Sequence, residues 1–173
     1  MSEITIREAT EDDVPMLVEF LVDLGLHVSG GKRRTLSKKA KKRLQAFLRD
    51  YLYDREKYLV VACDPANKPV AMGNIQIWHN PNLWEEAEAP DQKSGFIDDL
   101  WVEPEYRKQG IMARMLDALI EFAEGHDIEE LILEYAISND EAAAVWERLG
   151  FTPTGVRATA NTATVRQNLS IDN

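Results

Sequence analysis

The segment from Phe96 to Phe151 constrains the fold most. An apolar strand pattern ending at Val102-Glu103-Pro104 turns through Tyr106-Arg107-Lys108-Gln109-Gly110 directly into an amphipathic helix. In such a turn successive backbone N–H groups face outward at the positive end of the helix dipole, which makes a place for an anion. Gly110 lets a phosphate come close to the main chain, and Arg107 and Lys108 add positive charge beside it. A pyrophosphate meets these requirements. The plain alternative is a basic turn leading into an ordinary helix.

The 173 residues suit one domain spanning 1–173. Ile4 to Glu8 reads as a strand. Thr10-Glu11-Asp12-Asp13 opens a helix with Val14, Leu17, Val18, Leu21 and Leu24 at helical spacing and Gly25 near its end. Ser37 begins a second helix with Ala40, Leu44, Phe47, Leu48 and Tyr51 as its apolar positions. Tyr58 to Cys63 and Val70 to Trp78 form a hairpin across Asp64-Pro65-Ala66-Asn67. A strand from Ser94 to Val102, the helix after Gly110, the strand Leu131 to Ala136 and a short helix ending at Leu149-Gly150 follow. Two C-terminal strands, Thr152 to Ala158 and Ala163 to Leu169, complete the chain. The expectation is an α/β layer structure around one mixed seven-stranded sheet with about four helices.

Within this order Arg107-Lys108-Gln109-Gly110-Ile111-Met112 resembles the Q/R-x-x-G-x-G/A signature of the GNAT superfamily of acetyl-CoA-dependent N-acetyltransferases. Asn139 through Ala142 to Leu149-Gly150-Phe151 is similar to its N-x-x-A…L-G-F segment. The resemblance implies a GNAT-like single domain with splayed central strands and acetyl-CoA as cosubstrate. It implies that Arg107, Lys108, Gln109, Gly110, Ile111 and Met112 offer backbone amides to the CoA pyrophosphate. It further implies that Trp101 and Val102 pair with the pantetheine arm, one N–H polarising the thioester carbonyl, and that Asn139 meets the arm from the other side. Met112 stands where the family has Gly or Ala, and Trp146 where many members carry a Tyr that protonates the leaving thiolate; an indole N–H is no useful acid. Tyr135 is the alternative acid, although its alternation with Leu131 and Leu133 suggests packing.

An ammonium acceptor must lose a proton before it attacks a thioester, so a carboxylate base is expected. Asp98 and Asp99 lead, with one of the two on each face of a regular strand, and Glu134 on the adjacent strand is third. Ile97-Asp98-Asp99-Leu100-Trp101-Val102 resembles the polyamine and diamine acetyltransferase branch, which implies Asp98 as the base. The expected reaction transfers an acetyl group to a small cationic amine, polyamine-like or aminoglycoside-like, in a ternary complex. A peptide or protein amine acceptor, and a CoA-binding sensor or partner-binding module without strong catalysis, remain alternatives. The acidic stretch around Glu85 to Asp91 reads first as solvated loop surface and Trp78 and Trp84 first as packing residues; the alternatives are that the acids steer a cation and the rings stack on one.

The net charge of -10 argues against nucleic acid, despite eight of the 20 basic residues lying between Lys32 and Arg43 on what reads as a solvated helix face. No apolar run approaches the ~20 residues of a membrane span. His27, His79 and His126 have no ligand spacing with Cys63, so no metal is expected. The lone Cys63 and the N-terminal sequence point to a cytoplasmic setting, and the family resemblance is compatible with a homodimer.

Overall fold

The computed structural model describes residues 3–32, 35–79 and 87–171. Arg33, Arg34, Trp84, Glu85 and Glu86, which figured in the sequence reading, lie outside these residues. The chain falls into two compact units, residues 1–136 and 137–173.

The first unit is built on a five-stranded sheet of β1 (Thr5–Glu8), β2 (Lys57–Cys63), β3 (Pro69–His79), β4 (Lys93–Val102) and β5 (Leu131–Leu133), in that spatial order. Neighbours are antiparallel except β4 and β5, which are parallel from Gly95–Leu131 to Ile97–Leu133. The β2–β3 turn forms as the sequence implies: Asp64 Oδ1 accepts the N–H groups of Ala66 and Lys68, and Asn67 takes a φ of 61°. β5 stops at Leu133 instead of Ala136.

Helices cover both faces. On one lie α1 (Val14–Val28) and α2 (Lys38–Leu52), where Leu17, Val18, Phe20 and Leu48 pack on Leu59, Val61, Cys63, Met72 and Trp101. On the other is α3 (Ile111–Glu124), which buries Ile111, Met115, Leu116, Leu119 and Ala123. Leu119 meets Leu100 and Val60 over Gly73, where no Cβ stands in the way. Phe47, expected on the buried stripe of α2, is 66% exposed. Gly25 does not end α1. The helix runs to Val28 because Gly30 and Gly31, at φ of 60° and 76°, supply the left-handed cap, with Gly31 N–H donating to Leu26 O and Gly30 N–H to His27 O.

The entry to α1 carries a buried ion pair. Asp13, 5% exposed, receives both Nη groups of Arg7 at 2.7 and 2.9 Å and the N–H and Oγ of Thr10 at 2.8 and 3.0 Å. Burial pushes its pKa up, but the Arg7 and Thr10 hydrogen bonds outweigh it and hold the carboxyl below its ordinary value. The carboxylate therefore adds stability above the unfolded-state pKa that is lost as pH falls through the lower folded-state pKa. Asp13→Ala is expected to cost about 2–3 kcal/mol in urea unfolding at neutral pH, the partial exposure of Arg7 keeping it below the cost of a fully buried pair. That difference from wild type should shrink at pH ~3.

The second unit holds α4 (Asp140–Arg148) and α5 (Thr162–Ile171). Its two expected strands are absent: residues 152–161 are irregular and exposed, and Thr162 onward is helical. Thr152 to Ala158 and Ala163 to Leu169 read as strands, yet Asn161 Oδ1 accepts Ala163 N–H and its carbonyl accepts Val165 N–H, which starts a helix. The described residues thus hold five strands and five α-helices in place of seven and four.

Candidate active site

β4 leads into the bend through a short helical turn at Pro104–Tyr106, held by Tyr106 N–H on Glu103 O and Arg107 N–H on Pro104 O. Lys108 and Gly110 then take positive φ of 61° and 76°, and α3 starts at Ile111 with Arg114 N–H on Gly110 O. Among the described residues, no acceptor meets the backbone N–H groups of Lys108, Gln109, Gly110, Ile111 and Met112. Lys108, Gln109 and Gly110 are exposed, and a Cβ built on Gly110 has nothing within 4 Å. The side chains of Arg107, Gln109 and Ile111 turn away from the bend. Gln109 Nε2 donates back to Glu105 O, Ile111 enters the core, and Arg107 Nε donates to Val102 O at 3.0 Å with its guanidinium 4.9 Å from the Trp101 ring centre. The main chain is therefore what the bend presents, and it fits a diphosphate.

β4 runs five residues beyond its pairing with β5, from Asp98 to Val102, so its edge there carries main-chain donors past the end of the parallel ladder. That is a suitable place for an extended arm such as pantetheine. Trp101 is buried against the edge of His27, and its Nε1–H has no acceptor among the described residues.

The aspartates do not lie on opposite faces. Gly73 pairs with Leu100 but Ile75 pairs with Ile97, so β4 carries one extra residue where Asp98 and Asp99 face the single Asn74. This β-bulge breaks the period of two. Both carboxylates act on Tyr51 of α2, whose pKa they raise after burial, while Leu100 sits with α3. Tyr51 donates to Ile75 O at 3.1 Å and stays protonated. Asp99 contacts Asn74 twice, N–H to Oδ1 and Oδ2 from Nδ2, each at 3.4 Å. The protein around Asp98, and then the charge of Glu134, push the Asp98 carboxyl above its ordinary pKa. Asp98 thus feels the charge of Glu134, and Asp98 and Asp99 both act on Tyr51, with Tyr51 and Asn74 as functional neighbours that sequence reading missed.

In the second unit, Asn139 Oδ1 accepts Ala142 N–H and caps α4. The Leu149-Gly150-Phe151 segment is a helix stop: Gly150, at φ 96°, donates to Glu147 O, and Phe151 N–H donates to Trp146 O, with the two rings edge to face at 5.4 Å. Trp146 is a packing residue of this cap. Trp78 leans on Phe96 at 5.3 Å, and Lys41 of the basic segment pairs with Glu19 at 2.6 Å.

A sequence model of the acetyltransferase (GNAT) family matches residues 30–151. N-alpha-acetyltransferase 30 of Schizosaccharomyces pombe is 35% identical over 57 residues, 33% of this chain and 38% of that protein. The ribosomal protein bS18-alanine N-acetyltransferase of Escherichia coli K12 is 37% identical over 67 residues, 39% of each chain. The matches therefore span under two-fifths of these curated relatives. Among solved structures, a transcriptional regulator from Bacillus halodurans aligns with a TM-score of 0.74 at 24% identity, over 92% of this chain and 99% of that one. A predicted acetyltransferase from Clostridium acetobutylicum, solved with acetyl-CoA, aligns at 0.71 and 21% over 94% and 98%. An aminoglycoside antibiotic 6'-N-acetyltransferase from Acinetobacter baumannii aligns at 0.68 and 17% over 92% and 98%. These structures attest the fold. With the family pattern matched over more than half its length and the strand, bend and helix in the arrangement that pattern implies, this chain belongs to the GNAT acetyltransferase family.

Proposed function

We propose that this protein is an acetyl-CoA-dependent N-acetyltransferase that acts on a small cationic amine, with residues 1–173 forming one domain. The observation that carries the reading is the bend from Lys108 to Met112, whose outward N–H groups have no acceptor among the described residues and whose Gly110 leaves the approach open. Those amides would hold the diphosphate of CoA, with Trp101 and Val102 at the β4 edge lying along the pantetheine arm and a main-chain N–H there aimed at the oxygen that becomes negative. Acetyl-CoA supplies an activated acyl group whose thiolate, of pKa near ~8.5, leaves without a dedicated acid. Asn139 is retained in this reading as a CoA-contacting residue on the strength of the family motif.

The carboxylates define the acceptor. Asp98, Asp99 and Glu134 concentrate negative charge that favours an ammonium group, and Asp98, with its raised pKa, takes the proton directly or through water. An aminoglycoside acetyltransferase shares the fold, which supports a small-amine acceptor. The curated relatives act on protein amines by their names, and this favours a second reading with a peptide N-terminus as acceptor. The Trp146 cap favours a third, a CoA sensor, because it removes the ring that would have served as the acid.

Thermal stabilisation by acetyl-CoA, followed by thiol release with diamines, polyamines, aminoglycosides and alanine-first peptides, separates the three. The proposal expects stabilisation and fastest release with a small di- or polycation. Fastest release with a peptide transfers the assignment to protein amines, and binding with no release on any amine leaves a sensor.

A further inference from the structure

The bulge in β4 places two carboxylates opposite one side chain, and that side chain is an amide buried to 5% exposure in an otherwise apolar stretch of β3. We propose that Asn74 is a positioning residue that ties Asp99 to β3 and thereby keeps Asp98 as the proton acceptor of the pair; this rests on the reading of Asp98 as the base. A bulge leaves its extra residue outside the strand ladder, so the Asp99 N–H needs another acceptor. Asn74 Oδ1 is that acceptor, and the same amide turns its Nδ2 donors to Asp99 Oδ2. One primary amide supplies an acceptor and a donor together, which neither a carboxylate nor an alkyl side chain can do.

The other groups facing the pair do not replace it. Tyr51 of α2 directs its hydroxyl to Ile75 O, and Glu134 beyond β5 repels Asp98. No hydrogen bond to the Asp98 carboxylate is found among the described residues, so it stays available to an incoming ammonium. Without Asn74, Asp99 loses these two contacts to β3, and its carboxylate is freer to approach Asp98, where two neighbouring carboxylates titrate as a coupled pair.

The test is a carbon-13 NMR titration of the full-length protein labelled at its Asp carboxyls, with Asp98 and Asp99 assigned from Asp98→Asn and Asp99→Asn. In Asn74→Leu, and in Asn74→Ala, which guards against overpacking in the first variant and adds no charge, the Asp98 resonance should titrate at higher pH. With the best amine of the panel, kcat/KM on the acidic limb should fall about tenfold for each unit of that shift. Acetyl-CoA affinity should hold. In Asn74→Leu combined with Asp99→Asn, the Asp98 titration should fall back to its wild-type position or below it, because the competing carboxylate is gone. An unmoved Asp98 titration in the folded single variants overturns the positioning role, as does failure of the double variant to restore it. Full turnover in Asp98→Asn would instead sink the base assignment, while the titration still decides the role of Asn74.

Discussion

Asp98→Asn should lower kcat with the preferred amine by about 10²- to 10⁴-fold, the usual worth of a positioned general base. Asp99→Asn should cost less than about tenfold, since Asp99 is engaged with Asn74 and an amide can keep part of that contact. The pH dependence separates a lost base from a damaged fold. Because the Asp98 pKa is raised, wild-type kcat/KM should fall on the acid side at a pH above that of an ordinary aspartate, and this limb should vanish in Asp98→Asn. Stability should move the other way. A group whose folded-state pKa is raised binds protons more readily when folded, so its ionisation opposes folding as pH rises from the unfolded toward the folded pKa, and the penalty then persists at neutral pH. Asp98→Asn should therefore melt no lower than wild type at pH 7, an advantage that fades below the unfolded-state pKa.

Gly110→Ala should weaken acetyl-CoA binding by about 100-fold, equivalent to one or two charge-assisted hydrogen bonds. The methyl group would project into the open space over the bend that the diphosphate has to enter. At φ 76° the substitution also strains the backbone by about 1–2 kcal/mol, which should lower Tm by a few degrees without unfolding the domain. Affinity measured calorimetrically on protein shown to be folded keeps these effects apart. Desulfo-CoA should lose the same factor, because the lost contacts involve the diphosphate and not the acyl group.

The parts of the fold legible in the sequence were those fixed by local chemistry. Thr10 to Asp13, Ser37 and the Asp64 turn each satisfy backbone groups within a few residues, and all form as their residues imply. The strand, bend and helix around Arg107 were legible for the same reason, since positive φ at Gly110 and an apolar stripe on α3 are local requirements. The misreadings came where a pattern was extended without its partner. Thr152 to Ala158 and Ala163 to Leu169 read as C-terminal strands, but Asn161 supplies a helix cap there. Alternation put Asp98 and Asp99 on opposite faces, whereas the register slip against β3 brings both toward Tyr51.

Asn74 escaped notice, and Tyr51 was read only as an apolar position of its helix, because each sits among apolar residues that account for its neighbourhood. The available signal was Asn74 itself, a polar amide after Gly73 in the run Val70 to Ile77, which implies a buried partner. No spacing rule says that the partner lies 25 residues away on β4. Likewise, Leu149-Gly150-Phe151 was readable as a family motif, but only its hydrogen bonds show it to be a helix stop that engages Trp146.

The most direct test of the account is a nitrogen-15 chemical-shift titration of the backbone with CoA and, separately, with pantetheine, which lacks the diphosphate. The amide protons of Lys108 to Met112 should move downfield with CoA and scarcely respond to pantetheine, as expected for main-chain donors taking up an anion. If CoA binds while these amides stay in place, or if they respond equally to both ligands, the bend is not the diphosphate site and the functional assignment built on it fails.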